Sequence, residues 1–164
     1  MPSTYPTSYI PTTTTAVTRN ADVLTAGDII TDAAGSGYAE ASSIWATSPL
    51  NNFLLTRDGS GRILYANSGQ APTLIRGYDG TTVVNSPVGT SYQNRPAPLA
   101  STWGDNLTVY KDGVGGTAGS YNGTMGTGDL GVGNTNAGGF QWDGTVREVK
   151  IFDTELTAEE VGDL

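Results

Sequence analysis

The stretch that decides the fold is the last one, FQWDGTVREVKIFDTELTAEEVGDL, Phe140 to Leu164. Val146–Phe152 reads as a strand, with Val146, Val149 and Ile151 facing a core and Glu148 and Lys150 facing out. The three-residue step from Val146 to Val149 breaks strict alternation, which predicts a bulge near Arg147–Glu148. Thr157-Ala158-Glu159-Glu160 is a capping box, with Thr157 as N-cap and Glu160 reaching back to it. Leu156 and Val161 sit at the two positions of a hydrophobic staple. A strand closed by a short capped helix predicts a sheet whose last strand is covered in part by that helix.

Working back from this end, Asp-Gly recurs at Asp58-Gly59, Asp79-Gly80, Asp112-Gly113 and Asp143-Gly144, with Gly104-Asp105 as a further corner. Asp-Gly suits tight hairpins because both central residues of a type I′ turn need positive φ. Short β-forming runs lie between these corners: Tyr38–Ala46, Asn52–Thr56, Arg62–Ala66, Thr73–Arg76, Thr81–Asn85, Leu99–Trp103, Leu107–Tyr110 and Leu130–Gly133. Many short strands divided by turns predict an all-β, two-sheet antiparallel sandwich with one short C-terminal helix. The first 20 residues differ. Three prolines and the run Thr12–Thr15 favour extended backbone with little to bury, so residues 1–20 read as a connector and 21–164 as the domain. Val17–Leu24 reads as the first strand.

Composition narrows the chemistry. The 164 residues carry no Cys and no His, which removes disulfides, thiol chemistry, Cys/His zinc sites and His-based triads. A net charge of −8 repels phosphate backbones and anionic membranes, so no nucleic-acid partner is expected. A local Arg cluster can still act on an anion within one Debye length, about 8–10 Å. No apolar run is long enough to span a membrane, and the N-terminus lacks a basic n-region and an apolar h-region.

Asn106–Gly116 (NLTVYKDGVGG), then DLGVGN and the closing stretch quoted above, resemble the second half of laminin-G-like, concanavalin A-like lectin and glucanase domains. The matching positions are Tyr110, Asp112, Gly113, Leu130, Gly133, Phe140, Gly144, Val146, Glu148, Val149, Ile151, Leu156, Glu160 and Val161. The resemblance implies a jelly-roll sandwich. Upstream, TSYIPTTTTAVTRNADVL looks like a connector of bacteriophage tail and virion proteins, which implies a virion or extracellular setting and further domains of a larger virion protein as partners. The glucanase signature E-x-D-x-(x)-E is absent. Glu40 and Glu148 are the mid-strand carboxylates, distant in sequence, and catalysis is not expected.

A lectin-like, carbohydrate-binding role is the expectation that follows, with a structural spacer or decoration domain of a virion as its rival and a polysaccharide-degrading enzyme of the same fold as a third reading. Saccharide binding needs an aromatic face to stack on the C–H side of a pyranose and planar polar groups at its rim. The aromatic candidates are Trp45, Tyr78, Tyr92, Tyr121 and Trp142, of which Trp45 also fits a core position. Asn94, Asn122 and Gln141 are nearby amides suited to hydroxyls. Arg57, Arg62 and Arg76 hold three of the eight positive charges within twenty residues, a basic patch for carboxylate or sulfate sugars if the strands bring them together. Solvated strand faces paired with Asp58 and Asp79 account for them equally well. No organic cofactor is expected. The family resemblance implies a structural Ca2+, with Asp22, Asp28, Asp32 and Asp143 as oxygen ligands.

Overall fold

A computed structural model describes residues 24–27, 29–48, 51–57, 61–122, 124–126, 128–135 and 140–164. The expected connector, Asp22, Asp28 and the Asp58-Gly59 corner lie outside these residues.

Among the described residues, twelve strands form two antiparallel sheets. Sheet one runs in the order β1 (Leu24–Ala26), β11 (Leu130–Val132), β3 (Asn52–Arg57), β4 (Gly61–Ala66), β5 (Arg76–Tyr78), β6 (Val83–Asn85). Sheet two runs β10 (Gly119–Ser120), β8 (Asn106–Lys111), β7 (Ala97–Trp103), β2 (Gly35–Ser43), β12 (Gly144–Phe152), with β9 (Val114–Gly115) also on β8. The sandwich expected from the turn rhythm is the fold observed. Its strands are shifted where proline and turn chemistry intervene: the run from Thr73 contributes only Arg76, and β5 continues to Tyr78.

The core lies between the layers. Leu54, Leu55, Ile63, Leu64, Ile75 and Val84 of sheet one and its flank meet Ala39, Ala41, Leu99, Trp103, Leu107 and Val109 of sheet two. Each large apolar side chain removed from water contributes roughly 1.5–3 kcal/mol. Two glycines allow the layers and rings to close. A Cβ on Gly35 would fall 2.3 Å from Cζ2 of Trp103, and one on Gly77 would fall 2.8 Å from Cγ2 of Val109.

Asp112 and Gly113 have φ of 52° and 76° and join β8 to β9, the two positive values a type I′ turn demands. Asp143-Gly144 makes no hairpin. Gly144 opens β12 opposite Ser43, where its lack of a Cβ lets it approach the Ser42 carbonyl.

The C-terminal reading holds in most parts. The register of β12 on β2 shifts between Val146 and Glu148, and Val149 and Ile151 pack against the core. Val146 departs from expectation: it lies opposite Ala41 yet is 36% exposed, because β12 is an edge strand. Helix α1 (Ala158–Gly162) carries both capping-box hydrogen bonds between Thr157 and Glu160. Val161, with Leu156 and Leu164, covers Tyr38, Ala100 and Tyr110, a second small core on the far side of sheet two. The outward face of sheet two is thus partly roofed by the helix.

Candidate functional site

Gly77 points into the core, so its neighbours Arg76 and Tyr78 point outward from sheet one. Cross-strand register then assembles an outer face. Phe53 lies opposite Tyr65, Tyr65 opposite Arg76, and Arg76 opposite Asn85, one row across four strands. At the spacing of neighbouring strands the row is roughly 14 Å long. A second row places Arg62 opposite Tyr78 and Tyr78 opposite Val83. Phe140 extends the first row: its carbonyl accepts the Phe53 N–H at 2.9 Å, and its ring stacks on Phe53 at 5.1 Å between centroids.

Arg62 sits among three rings. Its guanidinium carbon is 5.1 Å from the Phe53 centroid, 5.5 Å from Tyr65 and 5.1 Å from Tyr78. Phe53 and Tyr65 are buried beneath this assembly, Arg62, Arg76 and Tyr78 are half-buried, and Phe140 is half-exposed. Phe140 also holds a φ of 56°, a left-handed conformation costing a bulky residue of order 1–3 kcal/mol. Such strain at an aromatic ring on an open face marks a position held for its geometry. The far end of both rows, Asn85 and Val83, forms one wall of an open groove of about 620 Å³. Gly116, Thr117 and Gly119 line its other side, so the face runs into a cleft with no charged side chain among the described residues that line it.

Of the expected ligand residues, only Tyr78, Arg62 and Arg76 meet on this face. Arg57 does not join them. It is buried at one end of the sandwich, where Nη1 donates to Asp32 at 3.2 Å and Nε to the Gly128 carbonyl at 3.1 Å. Trp45, Tyr92 and Trp142 present no stacking face. They pack on one another with centroids 5.8–5.9 Å apart and are 7%, 0% and 7% exposed, a buried aromatic plug at the other end of β2. Burial pushes the Tyr92 phenol far above its ordinary range. Asn94, exposed with φ of 52°, and Gln141, exposed beside Phe140, lie in loops at that end. Tyr121 is half-buried beside Asp32, whose carbonyl accepts its hydroxyl proton. Burial, then the Asp32 charge, pushes its phenol up to about 12. The Asn122 backbone N–H donates to buried Asp79, which also accepts from the Thr81 and Thr82 backbone N–H groups. Asp79 is a loop staple and not a counter-ion for the arginines.

Phe53, Tyr65, Phe140 and Asn85 were not legible as site residues. The register shifts between Phe53 and Leu55 and between Arg62 and Tyr65 turn two consecutive apolar residues inward on each strand. Alternation alone therefore misplaces the outer aromatics.

Of the expected calcium ligands, the two among the described residues, Asp32 and Asp143, do not meet. Asp32 precedes β2 and Asp143 pairs its carbonyl with Ile44 beyond the other end, a nine-residue strand apart, and Asp32 is taken by Arg57. Among the described residues no three Asp or Glu side chains cluster to hold a metal. Glu40 and Glu148, distant in sequence, are direct cross-strand partners on the outer face of sheet two. Each has its own cation, Arg147 at 3.3 Å and Lys150 at 3.4 Å. That is charge pairing on a sheet face; Glu40 also lines a pocket of about 390 Å³ with Asp112, which is itself ion-paired to Arg95 and Lys111.

No family model and no curated protein matches the sequence. Solved structures do match the fold. A heptameric SAP-like pentraxin from Limulus polyphemus aligns over 79% of this chain and 68% of its own, at TM-score 0.60 and 12% identity. A Bacteroides ovatus protein described as carbohydrate binding aligns over 85% and 43%, at TM-score 0.65 and 14% identity. Domain 4 of AbnA, a GH43 extracellular arabinanase from Geobacillus stearothermophilus solved with arabinotriose, aligns over 86% and 71%, at TM-score 0.60 and 17% identity. The chain spans less than half the Bacteroides protein. At these identities the likeness is one of fold.

Proposed function

We propose that the domain is a non-catalytic carbohydrate-binding module whose site is the outer face of sheet one. The observation that carries this reading is the row Phe140, Phe53, Tyr65, Arg76, Asn85 with Arg62 and Tyr78 beside it. The half-exposed Phe140 ring and the half-buried Tyr78 ring supply C–H stacking surface, Phe53 and Tyr65 pack beneath them, and guanidinium and amide groups at fixed spacing supply planar hydrogen bonding to hydroxyls. Two of the structures similar in fold are described as carbohydrate binding or hold an oligosaccharide, which supports the same reading. The ion-paired carboxylates on sheet two favour binding without cleavage. The connector-like N-terminal sequence supports placement in a larger extracellular or virion-appendage protein, where weak sites gain from multivalency.

Isothermal titration with a panel of soluble polysaccharides tests the proposal. At least one is expected to bind, with affinity reduced roughly tenfold in Tyr78→Ala, a loss on the scale of one stacking contact. Failure of every polysaccharide to bind, or full affinity in both Tyr78→Ala and Phe140→Ala, contradicts it.

A further inference from the structure

Seven of the lysines and arginines fall within the described residues, and five of them have a carboxylate at 3.0–3.4 Å: Arg57, Arg95, Lys111, Arg147 and Lys150. Arg62 and Arg76 are the two without one among the described residues. They are neighbours: Arg62 faces Tyr78 and Arg76 faces Tyr65 on adjacent strands, which makes the arginines diagonal partners roughly 7–8 Å apart at the backbone. Both leave a buried Nε–H with no hydrogen-bond partner. In a chain of net charge −8 with sixteen carboxylates, two adjacent guanidinium groups left unpaired are an exception to the pattern among the described residues.

We infer that Arg62 and Arg76 form an oxyanion subsite that takes one acidic group, carboxylate or sulfate, of the bound saccharide; this rests on the carbohydrate-binding reading above. The chemistry fits. Guanidinium presents a fork of donors matched to planar and tetrahedral oxyanions. The rings around Arg62 hold its guanidinium without consuming its donors, since a ring face attracts the cation without offering an oxygen acceptor. Arg76 is flanked in its row by Tyr65 and Asn85, neither of which is anionic. The overall negative charge repels a densely charged polymer, while the local pair acts within a Debye length. The favoured ligand therefore carries isolated acidic groups among neutral sugar units.

A glycan array holding neutral glycans beside uronate-, sialate- and sulfate-bearing ones tests this, with affinities then measured for the wild type, Arg62→Gln/Arg76→Gln, Arg62→Lys/Arg76→Lys and Arg147→Gln. Selection of acidic glycans is expected, weakened by roughly tenfold or more in the Gln pair, less in the Lys pair, and unchanged in Arg147→Gln, which alters net charge on the opposite sheet. The carboxylated and sulfated arms identify which oxyanion is taken. Thermal unfolding of each variant confirms that it is folded, and the Lys pair carries the test if the Gln pair is not. Binding to neutral glycans alone overturns the subsite and leaves the carbohydrate reading standing. Acidic glycans bound equally by wild type and folded arginine variants also overturn it. Binding to none of the array overturns both, as does binding only to DNA or anionic vesicles.

Discussion

Arg62 on β4 and Tyr78 on β5 face each other directly, the guanidinium carbon 5.1 Å from the ring centroid. The contact does two things at once. It braces an arginine that has no carboxylate among the described residues, and it fixes a tyrosine ring whose hydroxyl donates to the Gly80 carbonyl.

Tyr78→Ala removes that brace. A cation–π contact contributes about 0.5–1 kcal/mol when exposed and about 2 when desolvated. Urea unfolding is expected to report a loss of about 1–2 kcal/mol alongside the weaker polysaccharide binding. Tyr78→Phe keeps the ring and is expected to retain most of both.

Trp142 tests the opposite assignment. Its ring is buried against Trp45 and Tyr92, and its indole N–H donates to the Ser42 carbonyl at 2.9 Å. Trp142→Ala is expected to cost about 3–5 kcal/mol of stability. Trp142→Phe is expected to remain folded and to bind polysaccharide as the wild type does. A selective loss of binding in folded Trp142→Phe would return this residue to the site.

The C-terminal cap is open to acid. Hydrogen bonds from the Thr157 backbone, and then its side chain, hold the Glu160 carboxyl below its ordinary value of 4.5. A depressed folded value means the cap's contribution is fully present above 4.5 and is lost as pH falls through the lower folded value. Amide exchange at Glu160 and Val161 is therefore expected to quicken below that window. Thr157→Ala is expected to cost about 1 kcal/mol at neutral pH.

Alkali acts at the Arg57 end. Tyr121 ionises at about 12, raised first by burial and then by Asp32, against an ordinary value of 10.0. Between those values the folded chain holds a proton the unfolded chain has released. Stability from this group is present below pH 10.0 and declines as pH rises through about 12. Tyr121→Phe is expected to flatten that decline, read as the denaturation midpoint against pH.

The two layers, the capped helix and the bulge at Arg147 were legible because each is a local signal: turn residues, a capping box, a broken alternation. The binding face was half legible. Arg62 and Arg76 stood out as charges in a charge-poor chain, but the rings around them did not. Phe53 and Tyr65 lie inside apolar strand runs and only strand register places them outward, and Phe140 joins them through a hydrogen bond to Phe53 that no pattern announces. Tyr92 and Trp142 misled in the other direction, while Trp45 took the core position its sequence also allowed, since a loop-side aromatic can plug a sandwich end as readily as it can meet a ligand. Arg57 was separated from its sequence neighbours by Asp32, twenty-five residues away.

The account stands on the outer face of sheet one being where saccharide binds, and amide and side-chain NMR of the isotopically labelled chain, titrated with the tightest polysaccharide fragment, tests that most directly. Shifts are expected at Arg62, Arg76, Tyr78, Asn85 and Phe140, with Tyr38, Glu40 and Lys150 on sheet two unmoved. Shifts confined to sheet two or to the Trp45–Trp142 end, with Arg62 and Tyr78 silent, would contradict it.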